Sequence, residues 1–103
     1  MSTAPKRVVG LLMSDIAGST RLYDRLGDVP ARRIVANQLR AMEHAVMRAG
    51  GRVVKSLGDG LLAVFAEARA ALQAAAEIRD TAATPVSTAI HCGPVVEAPD
   101  GDV

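Results

Sequence analysis

The sequence predicts an α+β fold, a ferredoxin-like sandwich with the element order β-α-α-β-β-α-β. Three observations predict it. A continuous apolar run, Val8 to Met13, stands near the start and ends in Ser14-Asp15. A pair of short apolar runs is joined by Gly58-Asp59-Gly60. Amphipathic segments at helical spacing lie on both sides of that pair. The chain has 103 residues, 50% hydrophobic and 22% charged, which suits one folded domain and excludes a disordered tail.

Each element has a local reason. Val8–Met13, bounded by breakers, reads as a strand buried on both faces. Ser19 or Thr20 is placed to cap a short helix through Leu26, and Gly27 to stop it. Asp28 caps the next helix, with Pro30 in its first turn. Its apolar face is Ala31, Val35, Leu39, Met42 and Val46, opposite Arg33, Asn37, Arg40, His44 and Arg48. Gly50-Gly51 ends it. Arg52–Leu57 and Leu61–Phe65 read as the arms of a hairpin, since Asp-Gly between apolar runs favours a tight reversal. Ala66–Ala82 reads as a helix burying Ala68, Leu72, Ala75, Ile78 and Ala82. Pro85 opens a strand, Val86–Cys92, which Gly93-Pro94 turns into Val95-Val96-Glu97. Residues 98–103 are polar and turn-like.

Composition excludes several classes of function. Twelve basic against eleven acidic residues leave a net charge of +1, too little for a general nucleic-acid coat. Tyr23 and Phe65 are the only aromatic residues, so base-stacking platforms are not expected. One cysteine forms no internal disulfide and demands no oxidising compartment. No apolar run reaches the length of a membrane span or a secretory core, so a cytoplasmic location is expected. Only Lys6 and Lys55 stand among ten arginines, which makes each lysine informative.

Two acids stand out by position. Asp15 ends a strand and Asp59 sits at a hairpin tip. If those strands are neighbours, both carboxylates reach one edge of the sheet, where mutual repulsion calls for a cation. Hard oxygen ligands suit Mg²⁺ or Mn²⁺, completed by water and substrate phosphates. Taken singly, each acid is ordinarily a cap or a turn residue. Gly18-Ser19-Thr20 opens a helix, where free N–H groups and the dipole suit a phosphate, although an ordinary cap has the same composition. A strand lysine is normally solvated, but Lys55 lies four residues before Asp59. Asp102 alone is an ordinary solvent-facing tail residue. His44 is expected on a solvated helix face and His91 beside the sheet interior in a structural role. Arg21 and Arg25 lie on the helix that follows the glycine turn and read as surface residues.

Together these stretches resemble the class III adenylate/guanylate cyclase catalytic domain. Leu11 to Leu22 resembles its first signature, Gly50 to Phe65 its second, and Ala89 to Val96 with Asp100 to Val103 its third as far as it goes. The resemblance implies an N-terminal extension over residues 1–7 and a partial cyclase fold over 8–103. It implies that Asp15, Asp59 and the backbone carbonyl of Ile16 hold two Mg²⁺ or Mn²⁺ ions. Ala17, Gly18, Ser19 and Thr20 would cradle phosphates. The implied reaction is in-line attack of the ribose 3′-hydroxyl of ATP on the α-phosphate, giving cyclic AMP and pyrophosphate. Lys55 and Asp102 align with the base-selecting positions. A donor at Lys55 and an acceptor at Asp102 match N1 and the N6 amino group of adenine, whereas guanine reverses both roles. The family's sites are shared across a head-to-tail pair, so a homodimer or a heterodimer is implied.

Met13 replaces a common aromatic and Cys92 a common threonine, both read as packing changes. The family pattern continues past Val103 into a helix bearing an Asn and an Arg that act on the ribose and the transition state. The resemblance therefore implies little or no cyclase activity for these 103 residues alone. One alternative is a cyclase-like module that binds nucleotide or a partner without turnover. A haloacid dehalogenase-type phosphohydrolase is opposed by Ala17 and Ala63, which stand where that chemistry needs acids.

Overall fold

The computed structural model describes residues 7–56 and 58–95, with the backbone alone at 7, 8, 94 and 95. The elements run β1 (Arg7–Ile16), α1 (Ser19–Leu26), α2 (Asp28–Arg48), β2 (Arg52–Ser56), β3 (Gly60–Phe65), α3 (Ala68–Thr81) and β4 (Val86–Val95). This is the expected order. The four described strands form one sheet, β2-β3-β1-β4, with every neighbouring pair antiparallel. The expected α+β sandwich is the observed fold.

The sheet has a helix side and an open side, and strand alternation decides what each presents. On β1, Leu12, Ser14 and Ile16 are buried in the layer shared with the helices. Met13 and Asp15 are exposed on the other side, while Val9 is buried. The expectation of a strand buried on both faces therefore holds at Val9 and Gly10 and is corrected from Leu12 on, where burial alternates because helices cover only one face. On β3, Leu61, Ala63 and Phe65 face the same core. From α2 come Val35, Met42, Ala45 and Val46, and from α3 Ala71, Ala74 and Ile78. Each large apolar side chain removed from water in this layer contributes about 1.5–3 kcal/mol before conformational entropy is set against it.

Several local readings change. Gly18, not Ser19 or Thr20, is the N-cap of α1, with φ 74° in the left-handed region that L-residues avoid. Gly27 closes α1 and caps α2 with no side-chain bond, so Asp28 is helical rather than capping. On α3 the buried stripe is Ala71, Ala74 and Ile78, and Leu72 is 59% exposed. The face is displaced from the expected one because an alanine-rich helix carries few large side chains to set its phase. β4 runs straight through Gly93-Pro94, which pair with Val9 and Val8, instead of turning there. It is the outermost described strand on its side of the sheet, where a proline costs no ladder bond. His91 is exposed on the open side, not beside the interior. The expected strand at 95–97 falls, beyond Val95, outside the described residues, as does Asp102.

Two buried polar side chains each have hydrogen-bond partners. The hydroxyl of Ser14 pairs with that of Thr88 at 2.9 Å, tying β1 to β4. Gln38, on the apolar face of α2, bonds the loop before β4. At the surface, the Arg48 guanidinium bonds the Glu77 carboxylate, linking α2 to α3. Among the described residues no helix is long and apolar enough to cross a membrane.

Candidate metal and phosphate site

The sequence-predicted acids meet at one end of the sheet. Asp15 pairs with Gly60 in the β1–β3 ladder, and Asp59 is the residue before Gly60. The Asp15 carboxylate lies over the Gly60 backbone: a Cβ at Gly60 would meet Asp15 Oδ1 at 2.1 Å and the Ser14 carbonyl oxygen at 2.6 Å. Only glycine leaves that space to a carboxylate. The Asp59 carbonyl oxygen accepts the Ile16 amide at 2.8 Å, and Asp59 Oδ2 accepts the Ser19 hydroxyl at 2.6 Å. Asp15, Ile16 and Asp59 thus come together from β1 and the β2–β3 turn, with the α1 N-terminus closing the third side.

The loop between β1 and α1 is held from both flanks. On the β3 side it is tied through Ile16 to Asp59. On the β4 side the Ala17 amide donates to the Pro85 carbonyl at 2.8 Å. Gly18 then turns the chain into α1, presenting the first helical amides toward solvent. Ala17 and Thr20 are exposed and Ser19 is half-buried against Asp59. Ser19, expected as a phosphate-binding residue, is already engaged by the carboxylate.

Lys55 lies on β2 just past a bulge and pairs with Leu62, which in turn pairs with Met13. Met13 and Asp15 are two residues apart, so Lys55 and Asp15 share the open side of the sheet. Strand spacings place their backbones about 12 Å apart. Arg21 and Arg25 are exposed, as expected, and line a cavity of about 420 Å³ with Ala17, Gly18, Leu22, Thr84 and Pro85. His44 is exposed.

The residues present fit a divalent cation. Two carboxylates and a backbone carbonyl are hard oxygen donors, and Mg²⁺ and Mn²⁺ take few protein ligands and fill the rest with water and phosphate. Among the described residues no group of three or more His, Cys, Asp or Glu side chains is clustered.

Gln38, Thr84 and Pro85 belong to the support of this loop and were not singled out from the sequence. One signal was available. Gln38 stands in the apolar stripe between Val35 and Met42, where a long polar side chain needs a buried partner.

Comparison with known proteins bears on this arrangement. No family model matches the chain, and no curated protein matches it. Solved structures do. A cyclase described as an adenylate/guanylate cyclase/hydrolase from Silicibacter pomeroyi superposes with TM-score 0.74 at 33% identity, over 97% of this chain and 64% of that one. The chain has the class III nucleotide cyclase fold. The adenylyl cyclase CyaB of P. aeruginosa matches at TM-score 0.76 and 20% identity, over 90% of this chain and 59% of that one. The monomeric guanylyl cyclase domain of the RhoGC fusion protein of Blastocladiella emersonii matches at TM-score 0.77 and 21% identity, over 95% and 67%. This cyclase-fold chain therefore spans about three fifths of the length of CyaB. Its neighbours include adenylyl and guanylyl enzymes alike, so the shared fold is common to both bases.

Proposed function

We propose that this cyclase-fold chain binds ATP with divalent cations and serves the formation of cyclic AMP and pyrophosphate. The observation that carries the reading is the convergence of Asp15 and Asp59 beside the Gly18 turn. That places acidic oxygens and the positive end of α1 around one volume, the combination that cations and a polyphosphate require together.

Each residue has a distinct task. Asp15 and Asp59, with the Ile16 carbonyl, hold Mg²⁺ or Mn²⁺. Bound there, the cations supply positive charge for lowering the pKa of the attacking 3′-hydroxyl and for neutralising the triphosphate. Gly18 to Thr20 present backbone amides to phosphate oxygens, while the Ala17 amide, expected among them, is taken by the Pro85 carbonyl. Ser19 orients the Asp59 carboxylate. Lys55 donates to adenine N1, and Asp102 accepts from the N6 amino group. Guanine presents a donor at N1, which a lysine does not satisfy. In a head-to-tail homodimer or heterodimer, the base-reading residues of one protomer serve the nucleotide held by the carboxylates of the other.

The test is calorimetric. Titration with Mn²⁺ and a non-reactive ATP analogue is expected to show cation-dependent binding. Asp15→Asn and Asp59→Asn should each weaken it by about tenfold or more. Nucleotide binding indifferent to both substitutions and to chelator would reject the reading. Cation-dependent binding by a chain paired with a second cyclase domain, without cyclic product, would favour the module that binds without turnover.

A further inference from the structure

We infer that Gln38 is the positioning residue of the metal and phosphate loop, acting through Thr84 and Pro85 without reaching the nucleotide. The inference rests on the reading of Ile16 to Gly18 as that loop.

Gln38 is 5% exposed on α2, among Ala31, Val35, Met42 and Ala45. Its amide grips one residue by three bonds. Nε2 donates to the Thr84 carbonyl at 2.8 Å, while Oε1 accepts the Thr84 amide at 2.9 Å and the Thr84 hydroxyl at 2.6 Å. The side chain therefore treats Thr84 as a neighbouring strand would, bonding its N–H and its C=O together. The next residue, Pro85, offers its carbonyl to the Ala17 amide at 2.8 Å. Ala17 lies between Ile16 and the left-handed Gly18. A continuous path of bonds thus runs from the helix layer to the loop.

Burying an amide in an apolar stripe costs free energy unless every bond is made, and a leucine of similar size would avoid the cost altogether. What the glutamine supplies is a fixed position for Thr84-Pro85, a segment between α3 and β4 with no ladder partner at Thr84. The opposite flank of the loop is already fixed by Asp59, so the Pro85 carbonyl decides whether the loop is held on both sides or one. A loop held on one side presents its carbonyl and amides over a range of positions, and ordering them falls to the ligand.

The experiment uses the whole chain and two readouts. Amide exchange by NMR should show the Ala17 amide of Gln38→Met exchanging about tenfold faster, relative to β1 amides of the same variant. Val35→Ala, one turn away on the same buried face, serves as the stability control, and should speed Ala17 and β1 together. At a temperature well below all melting points, Mn²⁺-dependent binding of the ATP analogue should weaken about tenfold in Gln38→Met and stay unchanged in Val35→Ala. Ala17 exchange no faster in Gln38→Met than in Val35→Ala would overturn the clamp. Faster exchange with unchanged affinity would overturn its role in binding. Binding insensitive to Asp59→Asn would remove the reading beneath the inference, and with it the positioning role. The exchange data need no nucleotide and tell that failure from failure of the clamp.

Discussion

The Ser19 hydroxyl donates to Asp59 Oδ2 across 2.6 Å, joining the first turn of α1 to a hairpin tip forty residues away. The bond holds the Asp59 carboxylate against the start of the helix. Ser19→Ala should lower stability by about 1–2 kcal/mol. In a chain of this size each kcal/mol shifts the melting point by about 4–8 °C. Nucleotide affinity in Mn²⁺ should fall severalfold while the ATP preference stays. Calorimetry and a thermal melt on the same sample check both. A variant with the wild-type melting point and affinity would show that the bond orients nothing.

Gly60→Ala tests the packing beneath Asp15. The new methyl must displace Asp15 Oδ1 or the Ser14 carbonyl, both closer than any relaxed contact. A loss of about 1–3 kcal/mol is expected from the overpacking alone. Because the displaced group is the carboxylate, cation affinity should fall further than the stability loss explains. Full cation affinity in a destabilised variant would mean that Asp15 finds its place by another route.

Lys55→Glu should weaken ATP binding strongly, and because Lys55 is exposed on β2 the change in stability should stay within the roughly 1 kcal/mol that a surface pair is worth. Each donor–acceptor match to a base is worth about 1–3 kcal/mol, so a reversed charge should cost tenfold or more. GTP should lose less than ATP. Equal losses for the two nucleotides would assign Lys55 to the phosphates instead of the base.

The Arg48–Glu77 pair gives a pH dependence. The hydrogen bond from Arg48 holds the Glu77 carboxyl below the ordinary carboxylate value, and the same bond raises Arg48. The folded state binds the Glu77 proton less readily than the unfolded chain does. Its contribution is therefore present above the ordinary glutamate value and is lost as pH falls through the lowered one. Both side chains are open to solvent and salt, so the effect is small. Melting points of wild type and Glu77→Gln should differ at pH 7, draw together as pH falls below the ordinary glutamate value, and converge also in 1 M salt. A constant gap across pH would place the difference elsewhere.

Much of this was legible in the chain, and the exceptions share a cause. Element order and the meeting of Asp15 with Asp59 follow from apolar runs and breakers, which act locally. The phase of α3 did not, because its many alanines give no strong stripe, and Leu72 lies outside the buried one. Ser19 carried a cap signal that a distant acid redirected. Gly93-Pro94 carried a turn signal that position at the side of the sheet overrode. Gln38 marks a need for a buried partner by its place in the apolar stripe, but which partner is hidden, because Thr84 lies 46 residues on. In each case the deciding neighbour is close in space and remote in sequence.

The hydroxyls of Ser14 and Thr88 act as a counting device. Were β4 to slide by the single step that brings Ala89 opposite Ser14, Thr88 would swing to the opposite surface. The enclosed Ser14 oxygen would then lose the mate it has at Thr88. The same slide would carry the Pro85 carbonyl about 3.3 Å from the Ala17 amide. The penalty for miscounting thus falls on a pair of hydroxyls shared by β1 and β4, and the accuracy it enforces is delivered to the turn where phosphate would rest.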